Sequence, residues 1–530
     1  TGEQESVALM AMAVQELGED AISLTGAQIG VRTDASHTKA RIISISTERM
    51  KQALDRGQIV IAAGFQGVDQ DFNITTLGRG GSDTTAAALA AVLDAEACEV
   101  YTDVDGVYTT DPRVVADARK IDTISCDEML EMASLGAGVM HSRSIEFAKK
   151  YRVNLVVKPS QCDGPGTLIS PLPAEPAPMV TGVAFVRNEA RVSLLGVPDQ
   201  PGIMSQMFSK LSENRIAVDM VVQNVGVSGT ADITFTVPED DLERALQVAE
   251  SCTASFGGRV EHIAHRSKVS VVGHGMQSHT GVASQMFRVL SDAGVNINVV
   301  TTSEIKISVL IDRDYCDAAV KTIHQGFGLA QVQTASPDVG VAAVRPSAVQ
   351  RDQVRLEQDI VSGLSGMEDI VVSDVYSDVS QARVTITGLD DQPGVAADVF
   401  TAVADGGVLV DMIIQDAATE GQAVISFTVP KTETDKTIRL LETPLKKHSQ
   451  SKVSCDTNIG KLSVVGVGLR SHTDVGARMF RSLADAGINV QMVNTSEVKV
   501  SVVVSERDCP AALNALRSNF RLPENQSNLN

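Results

Sequence analysis

The feature that most constrains the fold of this 530-residue chain is an internal duplication in its last two thirds. The tetrapeptide Asp-Gln-Pro-Gly at 199–202 recurs at 391–394, and the tripeptide Thr-Ser-Glu at 302–304 recurs at 495–497. Repetition over so long a period is the signature of duplicated structural units. We therefore predict a two-module unit that is present twice.

Each module is predicted to run strand, helix, strand, strand, helix, strand, which is the ferredoxin-like βαββαβ plan. In the first module, Ile203, Met207 and Leu211 have helical spacing, and residues 232–237 alternate between polar and apolar as a strand does. RNA-binding domains of this fold carry aromatic residues on their central strands. An aromatic content of 3% and a formal net charge of −21 therefore argue against nucleic acid as a partner.

The first 170 residues alternate between strand-like and helix-like segments, which predicts an α/β domain with a mainly parallel sheet and helices on both faces. Four prolines within 171–178 indicate a domain boundary. We therefore expect an N-terminal domain at 1–170 and a linker at 171–180, followed by module 1 at 181–262 and module 2 at 263–335. A second linker at 336–369 is expected to precede module 3 at 370–455, module 4 at 456–522 and a polar tail at 523–530.

A glycine-rich turn precedes a small-residue helix predicted at 84–93. Its sequence, Gly-Arg-Gly-Gly-Ser-Asp at 78–83, lets backbone N–H groups approach an anion, and a helix N-terminus attracts negative charge. This pattern predicts a cradle for a phosphate or a carboxylate. The alternative is a tight turn in which Ser82 or Asp83 caps the helix. The segment alone does not separate the two.

The composition also limits the chemistry and the cellular location that the chain can have. The seven cysteines are scattered and never form a CxxC pair, which is typical of reduced thiols in a cytoplasmic protein. We identify no metal-ligand set and no apolar run of membrane-spanning length.

With the cradle, the proline-rich boundary and the four modules, the chain resembles the aspartate kinase family of amino-acid kinases. The resemblance is to the monofunctional, cyanobacterial-like form with four C-terminal ACT domains, and it covers almost the whole chain. The segments that carry it are 1–3, 23–26, 64–67, 76–83, 101–113 and 127–131. The resemblance implies phosphorylation of the side-chain carboxylate of L-aspartate by MgATP, as the first step towards lysine, threonine, methionine and isoleucine.

The resemblance also implies roles for individual residues. The aspartate site would consist of Glu3, Arg79, Gly80, Gly81, Ser82 and Asp83, among which Arg79, Asp83 and Glu3 would serve catalysis. The ATP site would consist of Thr102, Asp103, Tyr108, Asp111, Arg113, Gly138 and Val139. Taken alone, the run 109–113 is also compatible with an Asp-Pro turn.

Two departures from the family pattern stand out. The N-terminal Lys-Phe-Gly-Gly segment, whose lysine approaches the transferred phosphoryl group, is absent from the chain, so we do not expect the chain as given to catalyse the reaction. Gly138 stands where many relatives have a nucleotide-contacting lysine.

We interpret His141 as structural, since no partner for acid or nucleophilic chemistry lies near it in sequence.

Two sets of polar residues in the modules are candidate effector sites. The first set comprises Asp199, Pro201, Gly202, Ile203, Gln223 and Asn296, echoed by Asp391, Gly394, Gln415 and Asn489. The second comprises Met276, Ser278, His279, Ser303 and Glu304, echoed by Ser471, His472 and Glu497. The resemblance implies L-lysine and L-threonine as effectors, bound between ACT domains of a homodimer.

Other interpretations remain open at this point. Asp199 and its repeat could simply cap helices. The protein could also be a non-catalytic amino-acid-binding regulator. A superfamily relative that acts on glutamate, acetylglutamate or a nucleotide is disfavoured because those enzymes lack the four-module tail.

Overall fold

A computed structural model describes residues 1–136, 139–173, 177–225, 229–331, 366–368, 371–417, 422–467 and 474–522. The predicted linker at 171–180 is therefore described only in part, and the tail at 523–530 lies outside the described residues. Nearly all of the predicted linker at 336–369 also falls outside them.

The N-terminal domain is of the predicted α/β type. Its helices are Gly2–Glu16, Glu48–Leu54, Gly81–Leu93, Cys126–Ser134 and Ser142–Tyr151. Its strands are Ala21–Leu24, Arg32–Thr33, Ile42–Ser44, Ile59–Ala62, Gln66–Val68, Ile74–Thr76, Cys98–Thr102, Thr123–Ser125, Leu155–Pro159 and Thr167–Ser170. A single hydrophobic core lies beneath these elements, with Leu24, Met129 and Leu155 fully buried.

The strands of this domain combine parallel pairs with antiparallel additions. Ala21–Leu24 pairs in parallel with Ile59–Ala62, and Cys98–Thr102 pairs in parallel with Leu155–Pro159. Thr167–Ser170 is antiparallel to Leu155–Pro159. The parallel pairs place Thr102 and Pro159 at the same sheet end, where ligands of α/β domains collect.

The four modules contain two long helices each: Ile203–Glu213 and Leu242–Phe256, Val282–Asp292 and Cys316–Gly326, Val395–Asp405 and Thr434–Leu445, Asp474–Asp485 and Cys509–Asn519. Modules 1 to 3 share a ten-stranded sheet, in spatial order Asp219–Val225, Thr230–Pro238, Gly182–Pro198, Arg259–Val272, Lys306–Asp312, Val299–Thr302, Ile413–Ala417, Gln422–Pro430, Gln381–Asp390 and Lys452–Asp456. Module 4 has its own sheet, in the order Val371–Asp378, Ile459–Val467, Lys499–Ser505 and Met492–Thr495.

Modules 2 and 4 are not built from consecutive sequence, contrary to the prediction. The first half of Gly182–Pro198 pairs with the module 2 strand, Val183 opposite Val271, before the second half enters module 1. Likewise Val371–Asp378 precedes module 3 yet pairs with Ile459–Val467 of module 4. Modules 1 and 3 are therefore inserted into modules 2 and 4, because the segment that precedes each inserted module supplies a strand to the module that follows it.

The modules pack in pairs within one chain, module 1 with module 4 and module 2 with module 3. Each pair shares one hydrophobic core. Phe208 stacks on Phe480 with ring centroids 4.8 Å apart, and Phe287 meets Phe400 edge to face at 5.4 Å. Such aromatic contacts add about 0.5–1.5 kcal/mol each beyond the apolar area they bury. The pairing expected across a dimer is thus present inside a single chain.

Helix Cys126–Ser134 connects the N-terminal domain to the modules. Ser125 and Glu128 form a reciprocal capping box at its start. One turn later the fully buried Glu131 lies 2.7 Å from Lys306 Nζ of module 2 and accepts the backbone N–H of Glu497 in module 4 at 3.0 Å. The Glu131 carboxylate of the N-terminal domain therefore contacts both repeats. One partner, Lys306, follows the first Thr-Ser-Glu segment, and the other, Glu497, belongs to the second.

Candidate functional site

The glycine-rich turn adopts a left-handed conformation that glycine alone accepts easily. Gly78 and Gly80 have φ values of 83° and 66°, and the helix begins at Gly81. Gly80 is the N-cap, so the alternative in which Ser82 or Asp83 caps the helix is wrong. Both residues instead lie in the first turn of the helix.

His141 packs directly against this turn. A Cβ atom at Gly80 would lie 2.2 Å from the Cβ of His141, so a side chain at that position is excluded by space as well as by φ. Burial raises the pKa of Asp83, an effect that nearby His141 opposes. Burial and neighbouring Arg143 lower the pKa of His141. His141 thus belongs to the cradle spatially, which its sequence neighbours did not indicate.

A cavity of about 590 Å³ opens beside the turn. Its lining includes Leu77, Gly78 and Arg79 of the cradle, together with His141 and a set of charged residues: Lys39, Arg41, Arg143, Glu146, Lys150 and Glu368. Cations outnumber carboxylates in this lining, so the cavity attracts anions.

The remaining predicted substrate residues lie near the turn rather than on the cavity wall. Ser82 packs close to Gly64, where a Cβ would meet the Ser82 Cα at 3.3 Å. Glu3 lies in the first turn of Gly2–Glu16, whose Gln4 donates a hydrogen bond to Gln66 at 2.8 Å. Of the six predicted aspartate residues, Arg79 lines the cavity, whereas Glu3, Gly80, Gly81, Ser82 and Asp83 do not.

A second cavity, of about 680 Å³, brings together the predicted nucleotide residues that the structure describes. Its lining includes Thr102, Asp103, Tyr108, Asp111, Arg113 and Val139. The last residue of that prediction, Gly138, lies outside the described residues. A volume in this range is typical of small-molecule sites.

Polar contacts fix the side chains of this second cavity. Tyr108 donates its hydroxyl to Asp105 at 2.9 Å. Arg113 bonds both oxygens of Asp111, with Nη2 2.8 Å from Oδ2, and this contact lowers the pKa of Asp111. The Arg113 side chain is 89% exposed, so its outer face can contact an anionic ligand at the mouth.

Sequence reasoning missed one wall of this cavity. Val183, Ala184 and Phe185 line it, although they belong to the strand shared with the modules. The apolar run that follows the proline-rich segment does indicate a strand, but the sequence does not show that this strand packs against the nucleotide residues. The two cavities are neighbours, because Val139 lines one and His141 the other, at most about 7 Å apart along the chain.

The first effector set is rearranged relative to the prediction. Asn489 Nδ2, rather than Asn296, donates to Asp199 Oδ1 at 2.8 Å. Asn296 instead donates to Asp391 Oδ1 at 2.9 Å. The reason is the pairing of modules 1 with 4 and 2 with 3, which brings each Asp-Gln-Pro-Gly turn against the partner module. Pro201 lies within the first of these turns.

Each of these two junctions contains a buried glutamine with an unpartnered acceptor. Gln223 donates to the Val490 carbonyl at 2.8 Å, and Gln415 donates to the Ile297 carbonyl at 3.1 Å. The Oε1 atom of each glutamine is buried without a hydrogen-bond partner. The helices that follow begin at Ile203 and Val395, with Gly202 and Gly394 as left-handed N-caps. An acceptor and free helix N–H groups can satisfy an ammonium and a carboxylate together.

The second effector set is only partly united. Met276, His279 and Ser303 line a cavity of about 70 Å³ between modules 2 and 3, which also includes Asp411. Ser278 ends the 3₁₀ turn His274–Ser278, and the repeats at Ser471 and His472 lie outside the described residues.

The two glutamates of the second set face protein partners. Glu304 forms an ion pair with Lys499 of module 4. Glu497 is buried and contacts Glu131 through its backbone N–H. Glu304 thus connects the two module pairs, and Glu497 connects module 4 to the N-terminal domain.

Two general properties complete the description. Across the described ranges, no group of three or more His, Cys, Asp or Glu side chains is placed to hold a metal ion. Within the same ranges, no helix is long and apolar enough to cross a membrane.

Comparison with known proteins agrees with this architecture. The amino acid kinase family matches residues 1–159, and the ACT domain matches 192–252, 269–327, 384–445 and 462–520. Aspartate kinase Ask_LysC of Stutzerimonas stutzeri is 51% identical over 334 residues, which are 62% of this chain and 81% of that protein. The aspartokinase of Pseudomonas aeruginosa is 50% identical over 334 residues, with the same two coverages.

Solved structures extend the similarity over the full length. The crystal structure of aspartate kinase from Synechocystis is 36% identical, has a TM-score of 0.58, and aligns with 100% of this chain and 87% of its own. E. coli aspartokinase III in complex with aspartate and ADP is 28% identical, with a TM-score of 0.53, and aligns with 61% of this chain and 74% of its own. The chain therefore belongs to the aspartate kinase family.

Proposed function

We propose that, with the family's Lys-Phe-Gly-Gly segment present upstream, the chain phosphorylates the side-chain carboxylate of L-aspartate at the cation-lined cavity, with ATP in the adjoining cavity. The observation that carries this proposal is the adjacency of the two cavities across residues 139–141. The resemblance to E. coli aspartokinase III, solved with aspartate and ADP, supports it.

The chemistry fits the cavity lining. Aspartate carries two carboxylates, and Arg79 can hold the α-carboxylate through a bidentate pair. The attacking side-chain carboxylate is already ionised at neutral pH, so the enzyme needs no general base. Catalysis then depends on positioning and charge neutralisation, which Lys39 and Arg79 of the cavity lining would provide, with the helix N-terminus at Gly81 beside them.

The residues of the second cavity suit a nucleotide. Tyr108, Asp111 and Arg113 line the same cavity, where Tyr108 would offer a ring face to the adenine and Asp111 and Arg113 would contact the ribose and the phosphates. Thr102 and Asp103 follow a strand end, the usual position of ligand contacts in an α/β domain. Mg²⁺ would enter with the nucleotide and neutralise the phosphate oxygens.

Feedback regulation by L-lysine and L-threonine is the second part of the proposal. The unpartnered Oε1 atoms of Gln223 and Gln415 support amino-acid binding at the module junctions. The cavity at the Asp391 junction measures only about 10 Å³, so binding requires the modules to separate. Binding can regulate only if the effector has unequal affinity for two states. Assembly as a homodimer and a cytoplasmic location complete the proposal.

The reaction is tested by trapping the acyl phosphate with hydroxylamine in the presence of MgATP. We would use the 530-residue chain and a chain extended upstream by a Lys-Phe-Gly-Gly segment. Hydroxamate from aspartate in the extended chain is the expected result. Hydroxamate from glutamate but not aspartate would overturn the substrate assignment. Amino-acid binding without hydroxamate in either chain would favour the non-catalytic regulator instead.

Two matched substitutions assign the cavities. Arg79→Met should weaken aspartate binding by about tenfold or more, since a charge-assisted bidentate pair is lost, and should leave ADP binding unchanged. Arg113→Met should do the reverse. Calorimetric titration of both variants with aspartate and with ADP measures this, and equal effects on the two ligands would contradict the assignment.

A further inference from the structure

Arg143 makes contacts with three separate parts of the chain. Its Nη1 atom donates to the carbonyl of Leu77 at 2.5 Å, and its Nη2 atom donates to the carbonyl of Ala40 at 2.7 Å. Its Nε and Nη2 atoms also bond the carboxylate of Glu368, at 3.1 Å to Oε2 and 2.8 Å to Oε1. The guanidinium therefore bridges two loops of the N-terminal domain and one residue from between modules 2 and 3.

Glu368 is held by a short docked segment. Met367 and Glu368 donate backbone N–H bonds to the carbonyls of Ile43 and Ile42, at 2.9 and 3.2 Å, and so lie against strand Ile42–Ser44. The Met367 carbonyl accepts bonds from Lys150 Nζ and the Tyr151 hydroxyl at 2.8 and 2.9 Å. Backbone pairing of this kind fixes where the carboxylate lies.

The two loops that Arg143 bridges carry Lys39 and Arg79, two of the cations that line the cavity. Leu77 directly precedes Gly78 and Arg79, and Ala40 directly follows Lys39. The Arg143 and Glu368 side chains are only 18% and 9% exposed, so water replaces their contacts poorly. Burial raises the pKa of Glu368, an effect that Arg143 opposes. A lysine could not make all of these bonds, because they require the planar fork of a guanidinium.

We propose that Arg143 is a positioning residue for the aspartate cavity, and that Glu368 from the segment between modules 2 and 3 holds it in its bridging position. The inference rests on the proposed assignment of this cavity to aspartate. It makes the geometry of Arg79 and Lys39 depend on a residue outside the N-terminal domain.

The direction of one effect separates positioning from plain electrostatics. Glu368→Gln removes a negative charge from a cation-rich cavity, so charge alone would strengthen the binding of an anionic amino acid. Loss of the contact between Arg143 and Glu368 would release both loops and weaken the binding of aspartate. The two explanations therefore predict opposite signs for the same variant.

The experiment is calorimetric titration of the full chain with L-aspartate and, separately, with ADP. We expect Arg143→Lys and Glu368→Gln to raise the Kd for aspartate about tenfold and to change the Kd for ADP less than twofold. The unchanged ADP affinity shows that the variant is folded. Arg517→Lys is the matched control, because Arg517 likewise bonds a carboxylate and a backbone carbonyl, those of Asp374 and Val375, away from the cavity.

The outcomes are distinct. Aspartate affinity that is unchanged or increased in Glu368→Gln overturns the inference and leaves the proposed function standing. An equal loss in Arg517→Lys also overturns it, because the effect would then be general. Absence of aspartate binding in the parent chain, with ADP bound, refutes the aspartate site itself and the inference with it. If Glu368→Gln loses ADP binding, Glu368→Asp, which keeps the charge but shortens the reach, decides by the same criterion.

Discussion

The buried ion pair between Glu131 and Lys306 allows a prediction with an internal control. Glu131 is 0% exposed, and Lys306 Nζ lies 2.7 Å from its Oε2 atom. Lys306→Met keeps most of the side-chain volume but leaves the carboxylate buried beside the carboxylate of Glu497. Removing one partner of a buried pair costs about 3–5 kcal/mol, because the remaining charge cannot regain water.

The duplication supplies the matched variant. Lys499 is the counterpart of Lys306 in the repeat and pairs with Glu304, whose side chain is 42% exposed. After Lys499→Met, that carboxylate can turn to solvent, so we expect a cost of about 1 kcal/mol. Lys499→Met also removes a hydrogen bond to the Tyr376 hydroxyl, so the excess cost of Lys306→Met is a lower bound on the effect of burying Glu131.

The prediction also has a pH signature. Burial and the neighbouring Glu497 raise the pKa of Glu131, while Lys306 lowers it. A carboxyl with a raised folded-state pKa loses stability as pH rises above its unfolded value, because the unfolded chain releases the proton first. Lys306→Met raises that pKa further. Its cost should therefore be smaller near pH 5 than at pH 8, and Glu131→Gln in the same chain should remove most of it.

Hydrogen exchange of peptides that cover Cys126–Ser134 measures the opening free energy of this helix. A loss of 3 kcal/mol corresponds to exchange that is faster by roughly a hundredfold. Protection within about tenfold of the parent chain, or an equal loss in Lys499→Met, would refute the reasoning that Glu131 depends on Lys306 for its burial.

Three further predictions concern the cradle, the thiols and the module pairing. Gly80→Ala should lower the free energy of unfolding, measured by thermal unfolding, more than Gly196→Ala does. Both glycines have a φ of 66°, but only Gly80 has the His141 imidazole packed against it. Equal losses of about 1–2 kcal/mol each would contradict this prediction. Burial raises the pKa of Cys98 to about 11, so Cys98 should resist a thiol reagent at pH 8 that labels exposed Cys162, as mass spectrometry of the native chain can show; equal labelling would disprove it. Phe480→Ala should cost about 3–5 kcal/mol in thermal unfolding, and a loss below 1 kcal/mol would speak against the packing of module 1 on module 4.

Local elements and motifs could be predicted from the amino-acid sequence alone. Gly78 and Gly80 occupy left-handed backbone positions that other residues adopt at a cost, and the nucleotide residues lie close together along the chain. Both sets therefore leave a local pattern that can be read directly. The duplication was equally visible, because a repeated unit repeats its polar residues as well as its core.

Which elements meet one another depends on tertiary packing. No local pattern shows that strand Gly182–Pro198 pairs in both module 1 and module 2, and the pairing of modules 1 with 4 and 2 with 3 depends on faces far apart in sequence. For that reason Asn489, and not Asn296, reaches Asp199. The contact between Arg143 and Glu368 has the same origin, since packing and charge pairing between distant segments leave no local pattern in the chain.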